Sequence, residues 1–302
     1  PVSLEKIDLQ IISQGSVVPK IQIVLKSEVS GKIDWVAPNF QNGARFDSGD
    51  VLIKLDKRDY ELALIQAESN FLQAKINYDR EIAKSDLAKK EWEIIGDNNE
   101  VSDLTLRKPQ LDQAKVLLSS AEASLEQARR NLLKTEISIP FNAILRSKNV
   151  DIGMILTPAF PIATIYNVDK YEISLPIPER DLHLLNIPLD GRAIADEKQL
   201  IVNLSANFGD RVKNWTGKII RTASEIDYQT RMLSLIAEIA EPLKQNSDTE
   251  LPLKVGMFLE AKIIAKSVSD IVIVPRYTIK DDKIWVLDND GVLNHKIVNI
   301  LH

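Results

Sequence analysis

The chain of 302 residues is 44% hydrophobic and 27% charged, with a formal net charge of −5 at pH 7 and no cysteine. That length suffices for two or three compact units. The acidic balance, without a Lys/Arg block, argues against nucleic acid as the main partner. Without cysteine, a disulfide framework, a thiolate metal site and a cysteine nucleophile are excluded. No apolar run in this sequence is long enough to span a bilayer.

The first part of the chain has the alternation typical of β-strands. Residues 1–25 contain IDLQIIS and IQIVLK, in which polar and apolar side chains alternate. Residues 26–57 add short strands, separated by an Asn-Gly turn that ends at Gly43 and by Gly49. We therefore predict β-structure up to residue 57.

Gly31 interrupts the strand-like stretch SEVSGKIDW, residues 27–35. A glycine inside a strand usually marks a bulge or a close backbone approach. This short strand cannot fold alone, so another segment must pack on it. We expect that segment to be ISIPFNAIL, residues 137–145.

The middle of the chain predicts two long helices. Residues 58–95 contain neither glycine nor proline and are rich in Ala, Leu, Glu, Gln and Lys, which favour helices. The polar run at residues 96–99 breaks this pattern. A second helix runs to Lys134, and a proline near its start leaves its first residue open between Leu104 and Leu111.

Both helices carry the 4-3 spacing of a coiled-coil seam. The larger seam residues, which alternate with small ones, are Leu64, Phe71, Tyr78 and Trp92 in the first helix and Leu111, Leu118, Leu125 and Leu132 in the second. The short break makes the pair antiparallel, and the first helix is about 55 Å long at 1.5 Å per residue. We expect the pair to project as a rod. The alternative is two helices of an ordinary bundle, against which each apolar stripe is narrow.

The segments on either side of the helices are similar to each other. With an offset of 110 residues, the stretch NGARFDSGDVLIKLD (42–56) aligns with DIGMILTPAFPIATIYN (151–167). Gly43 then falls on Gly153 and Gly49 on Ala159. This is a weak internal repeat of half-domain size. It predicts one β-sandwich, built from two similar halves, with the helical rod inserted at its turn. Gly31 would then lie where the two halves pack.

These segments resemble the periplasmic adaptor proteins, also called membrane fusion proteins, of the HlyD-like family. Three stretches are similar to the split lipoyl, or barrel-sandwich, domain of that family: VSGKID, the Gly-x5-Gly-Asp-Val-Leu run and TEISIPFNAIL. Two further stretches resemble the β-barrel domain of the family: TGKIIRTASEIDYQTRMLSLIAEI and LPLKVGMFLEAKI. A last stretch, IVIVPRYTI, resembles the strand that returns to its membrane-proximal domain. The chain departs from the family at Ala143 and Ala159, where glycine is usual.

The resemblance implies a mainly β fold with an inserted long α-helical coiled-coil hairpin. The expected domains are a truncated membrane-proximal β domain (1–25 plus 269–302), a lipoyl-like barrel-sandwich (26–57 plus 135–169), the hairpin (58–134) and an antiparallel β-barrel (170–268). In the sandwich, Gly31, Gly43, Gly49 and Gly153 are expected to have structural roles.

The function implied by the resemblance is that of an adaptor in tripartite efflux of small molecules. The expected partners are an inner-membrane transporter, with the RND (resistance-nodulation-division) type favoured, a TolC-type outer-membrane channel, and further copies of the chain in a ring, a hexamer in the family. The expected location is the periplasm, attached to the inner membrane through an N-terminal anchor outside this sequence. The preference for RND depends on GKIIRTASEIDYQTRMLSL, which resembles that branch.

The hairpin tip is the expected docking site for the channel. The residues assigned to it are Gly96, Asp97, Asn98, Asn99, Leu104 and Arg107. Many family members carry an Arg, Leu and Ser pattern here, which this tip does not clearly reproduce. Tip docking is therefore an implication of the resemblance and not of the local residues.

The barrel residues singled out by the resemblance have structural roles. Asp227 and Arg231 flank the sequence YQT and are predicted to pair and fix a barrel turn, with an ordinary exposed ion pair as the alternative. Gly217 and Gly256 are predicted to mark strand bends or turns.

No motif for bond chemistry is present. The sequence lacks a Gly-x-Ser-x-Gly elbow, a phosphate loop and a dinucleotide fingerprint. The three histidines, His183, His295 and His302, lack the spacing of metal ligands. We predict a non-enzyme that needs no cofactor or metal.

Three other functions remain open. The nearest is an adaptor of an ABC-type exporter or a type I secretion system. A second is a lipoyl or biotinyl carrier subunit, although the turn that would display the modified lysine has become the coiled coil, and Lys54 and Lys57 are better explained as solvated strand ends. The third is a cytoplasmic coiled-coil scaffold.

Overall fold

The computed structural model describes residues 5–95, 102–208, 211–244, 252–280, 282–287 and 293–298. The chain divides into two compact units. One contains residues 19–169, and the other contains residues 1–18 together with 170–302.

The helices and strands follow one another in this order. The first half contains β1 (Glu5–Pro19), β2 (Gln22–Lys26), β3 (Gly31–Val36), β4 (Arg45–Phe46), β5 (Val51–Leu55), α1 (Arg58–Ile95) and α2 (Lys108–Leu133). The second half contains β6 (Glu136–Ser138), β7 (Ala143–Lys148), β8 (Ile155–Leu156), β9 (Pro161–Asn167), β10 (Lys170–Pro178), β11 (Ile201–Phe208), β12 (Arg211–Asp227), β13 (Met232–Ala240), β14 (Phe258–Ile271), β15 (Ile279–Lys280), β16 (Lys283–Leu287) and β17 (Leu293–Ile297). Short 3-10 turns occur at Glu179–Leu184, Asp196–Lys198 and Arg276–Thr278.

The unit of residues 19–169 contains a sandwich of two four-stranded sheets. Their strand orders are β2-β9-β7-β4 and β6-β5-β3-β8, so each sheet combines strands from before and after the helices. Alternating apolar side chains of both sheets turn inward, as expected for face-to-face sheets. The fully buried core includes Ile33, Leu52, Leu145 and Ile165. One core therefore holds together two remote stretches of sequence.

The internal repeat is visible in the strand pairing. In the first half, β3 pairs antiparallel with β5, with Ile33 opposite Leu55. In the second half, β7 pairs with β9, with Leu145 opposite Ile165. Ile33 and Leu145 occupy equivalent places, as do Leu55 and Ile165, and all of these side chains are buried.

The expected neighbour of Gly31 was wrong. The backbone of Gly31 pairs with Leu156 of β8 and not with residues 137–145. A Cβ atom at Gly31 would lie 3.1 Å from the Cβ of Leu55, in the same half of the sandwich. The pattern of one strand indicates a close approach but does not identify the approaching strand.

Helices α1 (Arg58–Ile95) and α2 (Lys108–Leu133) form the helical hairpin. The 38 residues of α1 and the 26 residues of α2 pack against each other, and Arg129 near the end of α2 contacts Glu68 near the start of α1, as in an antiparallel pair. Proline lies in the first turn of α2, where its missing N–H costs nothing. None of the described helices combines the length and apolar character needed to cross a membrane.

The second unit is built around a closed barrel with the strand order β1-β10-β13-β12-β11-β14. In β1, the inward positions Ile11, Ser13, Gly15 and Val17 are buried while their neighbours are exposed. This strand of 15 residues pairs with β14, with Ser13 opposite Ala261. The predicted fold class, mainly β with an inserted helical hairpin, is confirmed.

The predicted partnership of residues 1–25 with residues 269–302 was wrong. Residues 5–19 form a barrel strand, and residues 22–26 belong to the sandwich. In the described part of the C-terminal segment, β15, β16 and β17 form a three-stranded sheet of their own. Alternation predicts a strand, but the closing partner of a barrel is set by long-range packing, which a short window of sequence does not contain.

Candidate functional site: the helical hairpin

The helices meet along a seam of alternating large and small side chains. Ala67, Ala114 and Leu125 are buried there. The other larger residues predicted for the seam are all half-buried: Leu64, Phe71, Tyr78, Trp92, Leu111, Leu118 and Leu132. Their neighbours along each helix are mostly exposed, so the contact is a narrow stripe, as in coiled coils.

A hydrogen bond and an ion pair attach the base of the hairpin to the sandwich. The hydroxyl of Tyr60 donates to the carbonyl of Ser30 at 2.7 Å. The amino group of Lys134 lies 2.7 Å from a carboxylate oxygen of Glu28. Because Tyr60 is in α1 and Lys134 directly follows α2, both helices are held against the same loop of the sandwich.

The first turn of α1 is capped by a carboxylate. An oxygen of Asp56 accepts from the backbone N–H of Arg58 at 3.2 Å, and the guanidinium of Arg58 contacts both oxygens, the shorter distance being 2.5 Å. These bonds stabilise the ionised form and lower the pKa of Asp56 to about 2. The carboxylate therefore stays charged and satisfies a helix N–H that has no partner within the helix.

A cleft of about 330 Å³ lies beside this base and is lined by Trp35 and by charged side chains. Both lysines of the cleft are in ion pairs, Lys54 with Glu136 at 3.2 Å and Lys57 with Glu61 at 2.8 Å. The ammonium of Lys54 also lies 5.9 Å from the centre of the Trp35 ring. The two lysines considered as carrier residues are thus engaged in ion pairs.

A polar cluster interrupts the seam near the start of α2. Glu81 of α1 has a side chain only 12% exposed, and one of its oxygens lies 2.8 Å from the guanidinium of Arg107. Its other oxygen lies 2.7 Å from the amino group of Lys84. The hydroxyl of Ser85 donates to the carbonyl of Leu106 at 2.8 Å. Hydrogen bonds from Lys84, and then from Arg107, lower the pKa of Glu81 below its ordinary value.

Only part of the predicted tip can be placed. Gly96, Asp97, Asn98 and Asn99 lie outside the described residues. Leu104 is described and its side chain is 68% exposed. Arg107 directly precedes α2 and is bound to Glu81. Of the tip residues that the structure describes, Leu104 is therefore the one most open to a partner.

The expected pairing of Asp227 with Arg231 was wrong. In the described part of the barrel, the Asp227 carboxylate accepts from the backbone N–H groups of Gln229 and Thr230, each at 2.9 Å, and forms no ion pair with Arg231. The backbone N–H of Arg231 donates to the carbonyl of Asp227 at 2.7 Å, and Arg231 has a φ of 55°. Backbone bonds close this turn because the short Asp side chain reaches its own following residues.

The barrel glycines differ in their environments. A Cβ atom at Gly217 would lie 3.0 Å from the carbonyl oxygen of Glu238, so this strand is closely packed. Gly256 has a φ of 90° with open space around it, and its N–H donates to the carbonyl of Val17 at 2.8 Å. Sequence reasoning missed Gly15, where a Cβ atom would lie 2.2 Å from the carbonyl oxygen of Ser174. Its only signal was a glycine at an inward position of an alternating strand.

The two histidines that the structure describes make separate local contacts. The ring of His183 contacts the carbonyl of Arg180, and that of His295 packs edge-on against Trp285, whereas His302 lies outside the described residues. Across the described ranges, no three His, Cys, Asp or Glu side chains are grouped closely enough to hold a metal ion.

Comparison with known proteins finds similarity along nearly the whole chain. No protein-family model matches it. A multidrug resistance protein, MdtA, of Erwinia amylovora is 24% identical over 299 residues, covering 94% of this chain and 67% of that protein. Among the curated relatives the chain spans about two thirds of the length, 62% in the case of Yersinia pestis MdtA.

Solved structures share the architecture. A MacA-MexA chimera carrying the Pseudomonas aeruginosa MexA α-hairpin domain covers 100% of this chain, and 96% of the chimera is covered, with a TM-score of 0.63 and 20% identity. The membrane fusion protein Spr0693 of Streptococcus pneumoniae gives a TM-score of 0.58 at 15% identity, covering 85% of this chain and 99% of its own. The resemblance to the periplasmic adaptors of efflux pumps is thus confirmed, and the chain has the membrane fusion protein fold.

Proposed function

We propose that the protein is a periplasmic adaptor that bridges an inner-membrane transporter and a TolC-type outer-membrane channel for the efflux of small molecules. The observation that carries this proposal is the helical hairpin, which is inserted between the two halves of one sandwich and is tied to it at its base. The similarity of 94% of the chain to multidrug resistance proteins supports it.

The contribution of such a protein is mechanical. The hairpin provides reach, because α1 alone has 38 residues and is about 57 Å long at 1.5 Å per residue. The barrel and the sheet of β15, β16 and β17 would contact the transporter and the membrane-proximal region. The sandwich would hold the hairpin at a fixed angle. No bond chemistry is required, and we propose that the protein is not an enzyme.

We favour an RND-type transporter as the partner. The support is the resemblance of residues 217–235 to the barrel of that branch. An ABC-type exporter or a type I secretion system is the alternative. Photocrosslinking from exposed Tyr228, at the tip of the turn between β12 and β13, would capture the transporter and identify its class.

A carrier function is disfavoured by the ion pairs of Lys54 and Lys57. The mass of the intact protein tests it directly, because a lipoyl or biotinyl group on any lysine would be visible. A scaffold confined to the cytoplasm is tested by fractionation of cells that produce the full-length protein, for which we expect the periplasmic side of the inner membrane.

We propose further that copies of the chain associate side by side, as in the ring implied by the family. The support is an apolar outer stripe on α1, away from the seam. It consists of Leu62, Ile65, Leu72, Ile76, Leu87 and Ile94, each at least 54% exposed. Between Leu62 and Ile76 the intervening residues of this face, Gln66, Ser69 and Gln73, are uncharged. An uncharged apolar helix face of this length is typical of a contact surface.

The outer face of α2 offers a matching surface on a second copy. Val116, Ser119, Ser120 and Ala123 are exposed and uncharged there. The double variant Ile65→Arg/Leu72→Arg should weaken association of the full-length protein in sedimentation experiments. Asn70→Arg, on another face of α1, is the matched control. Equal association of both variants and wild type would count against this contact.

The efflux function is tested in the organism that carries the gene. Deleting the gene should raise the cellular accumulation of a fluorescent dye such as ethidium. The wild-type gene should restore efflux, whereas a gene lacking the codons for residues 61–132 should not. Dye accumulation that is the same with and without the hairpin would contradict the proposal.

Channel docking is tested by crosslinking from the tip. Because the chain has no cysteine, Leu104→Cys gives a single attachment point for a photoactivatable group. We expect it to capture a TolC-type channel protein, identified by mass spectrometry. Gln66→Cys, exposed near the hairpin base, is the matched control and should not capture the channel.

A further inference from the structure

The polar cluster in the hairpin stands where the 4-3 spacing calls for apolar residues. Counting from Leu64 through Ala74 and Tyr78, the next seam position is Glu81, whose side chain is 12% exposed. Its carboxylate uses both oxygens, one for Arg107 and one for Lys84. A nearly buried carboxylate in an apolar seam is not explained by helix packing alone.

The cluster is also poorly arranged for stability. The Nε atom of Arg107 and the Oε1 atom of Gln110 are both buried without a hydrogen-bond partner among the described residues. The ion pair is buried on the side of Glu81, whereas the Arg107 side chain is 37% exposed. Ion pairs that take a charge out of water are often no more stabilising than apolar residues of similar size. Their best-attested use is to specify one alignment of helices over others. The cluster therefore has the features of a device for alignment.

The apolar seam of α2 cannot set this alignment by itself. Its seam residues repeat identically every seven positions: Leu111, Ala114, Leu118, Ala121, Leu125, Ala128 and Leu132. A displacement of one heptad, about 10 Å, would leave leucine facing α1 wherever leucine faces it now. It would, however, bring Arg107 opposite Ala74 or Ala88, which have no carboxylate.

The seven-residue spacing of the leucines also does not determine where α2 begins. Leu104 lies seven residues before Leu111 and continues the leucine series, yet its side chain is exposed and the helix begins only at Lys108. Arg107 takes a left-handed conformation, with φ 56° and ψ 23°, which ends any helix arriving from residues 102–106. The guanidinium held by Glu81 belongs to this same residue.

We propose that Glu81 and Arg107 form a lock that fixes the start of α2 against α1 and so presents Leu104 outward in one defined place. The sandwich aligns the helices at their base through Tyr60 and Lys134, and the lock aligns them at the other end. Arg107 is then a positioning residue that acts through Glu81, and Leu104 is the side chain offered to the channel. This last step rests on the proposed function.

The test separates alignment from stability. In the double variant Glu81→Leu/Arg107→Leu, an apolar pair continues the seam, so the melting temperature of the hairpin should equal or exceed that of wild type. The lock is lost, so the alignment should become heterogeneous. Glu81→Gln, which keeps the size of the side chain but not its charge, should broaden the alignment and also lower the melting temperature.

Alignment is measured by distances between two spin labels on the cysteine-free protein. Labels at Leu87→Cys and Leu104→Cys report the lock end, and labels at Gln66→Cys and Gln127→Cys report the base; all four side chains are exposed. We expect a single narrow distance at the lock end in wild type and a broad or shifted one in both variants, with the base unchanged. Wild-type distances at the lock end in the double-leucine variant would overturn the proposal.

The link to export has a separate readout. If the proposed function holds, the double-leucine variant should lose dye efflux although it is as stable as wild type. If the double-leucine variant shows changed distances but normal efflux, the proposed lock is supported and only its connection to channel docking is contradicted. Unchanged distances would overturn the lock itself, whatever the efflux result.

Discussion

Gly43 and Leu145 are joined by a backbone hydrogen bond of 2.7 Å across the sandwich, although the whole helical hairpin lies between them in sequence. The same bond recurs at 2.9 Å from Gly153 to Ile33, with the two halves of the sandwich exchanged. Gly43 and Gly153 have φ values of 86° and 85°. The two halves are therefore equivalent in backbone conformation and in hydrogen bonding, and each one completes the other.

Ala159 is where this equivalence is strained. Its counterpart Gly49 has a φ of 91°, and Ala159 keeps a left-handed φ of 67°. Both make the equivalent bond, Gly49 to Ile139 and Ala159 to Ser27, each at 2.8 Å. The sandwich thus imposes the glycine conformation on an alanine, which disfavours it.

Replacing Ala159 by glycine should therefore stabilise the sandwich by about 1 kcal/mol, since the left-handed conformation costs a residue with a Cβ atom roughly that amount. Denaturant unfolding measures the change. The matched control is Gly49→Ala, which has open space for the new methyl group and should destabilise by a similar amount through the backbone alone. A neutral or destabilising effect of Ala159→Gly would show that no strain is stored there.

The hairpin should be dispensable for folding of the β-strands. Its two ends meet, because the N–H of Leu55 donates to the carbonyl of Thr135 at 2.9 Å and β5 pairs with β6. A short linker in place of residues 61–132 should therefore leave the strand content unchanged in far-ultraviolet circular dichroism, with a cooperative thermal transition. Loss of all β-structure in this variant would refute an insertion into an independently folded sandwich.

The seam is tested by two neighbouring leucines of α2. Leu118 lies half-buried in the seam, whereas Leu117 is 51% exposed. Leu118→Asp places a charge in the apolar contact and should destabilise the hairpin by on the order of 2–4 kcal/mol. Leu117→Asp, with the same chemical change, should have a much smaller effect. Helical melting followed by circular dichroism decides, and equal melting of the two variants would contradict the seam.

The sequence predicts the elements of this fold better than their partners. The helices are marked by residues 58–95, where glycine and proline are absent, and their contact is marked by spacing. The repeat around Gly43 and Gly153 places both turns of the sandwich. By contrast, the partner of Gly31 and the barrel position of β1 depend on strands far away in sequence, which alternation alone does not identify.

The site was harder to predict for a different reason. The sequence places Arg107 at the tip because it lies between two predicted helices, and its partner Glu81 lies 26 residues earlier in a position that the spacing reserves for apolar residues. Asp227 and Arg231 have opposite charges and suitable spacing, yet backbone N–H groups satisfy the carboxylate first. Short-range backbone bonds of Asp compete with ion pairs and do not appear in charge patterns.

The turn at Asp227 gives a pH-dependent prediction. Bonds from the backbone N–H groups of Thr230 and Gln229 lower the pKa of Asp227 below its ordinary 3.8. A lowered folded-state pKa means that the stabilisation is present above the unfolded-state pKa and is lost as the pH falls through the lowered value.

The control variant is Asp227→Asn, whose amide oxygen can accept the same bonds without a charge. At neutral pH wild type should have the higher Tm; the difference should begin to shrink as the pH falls towards 3.8 and should vanish only below the lowered folded-state pKa. A difference in Tm that does not change with pH would show that the charge of Asp227 contributes nothing to the turn.

Gly15 gives the most specific test of the barrel, because it lies where β1 and β10 are neighbours. A Cβ atom there would lie 2.2 Å from the carbonyl oxygen of Ser174 and 3.0 Å from a side-chain carbon of Ile173. Gly15→Ala should therefore force these strands apart and destabilise the barrel by on the order of 2–3 kcal/mol, as overpacking against a backbone that cannot move aside does. Ser16→Ala, at the next and exposed position of β1, is the control and should change stability by less than about 0.5 kcal/mol. Denaturant unfolding of both variants measures the difference. If Gly15→Ala proves as stable as the control, β1 is not packed against β10 at this point, and the barrel would be held there by the pairing of β1 with β14 alone.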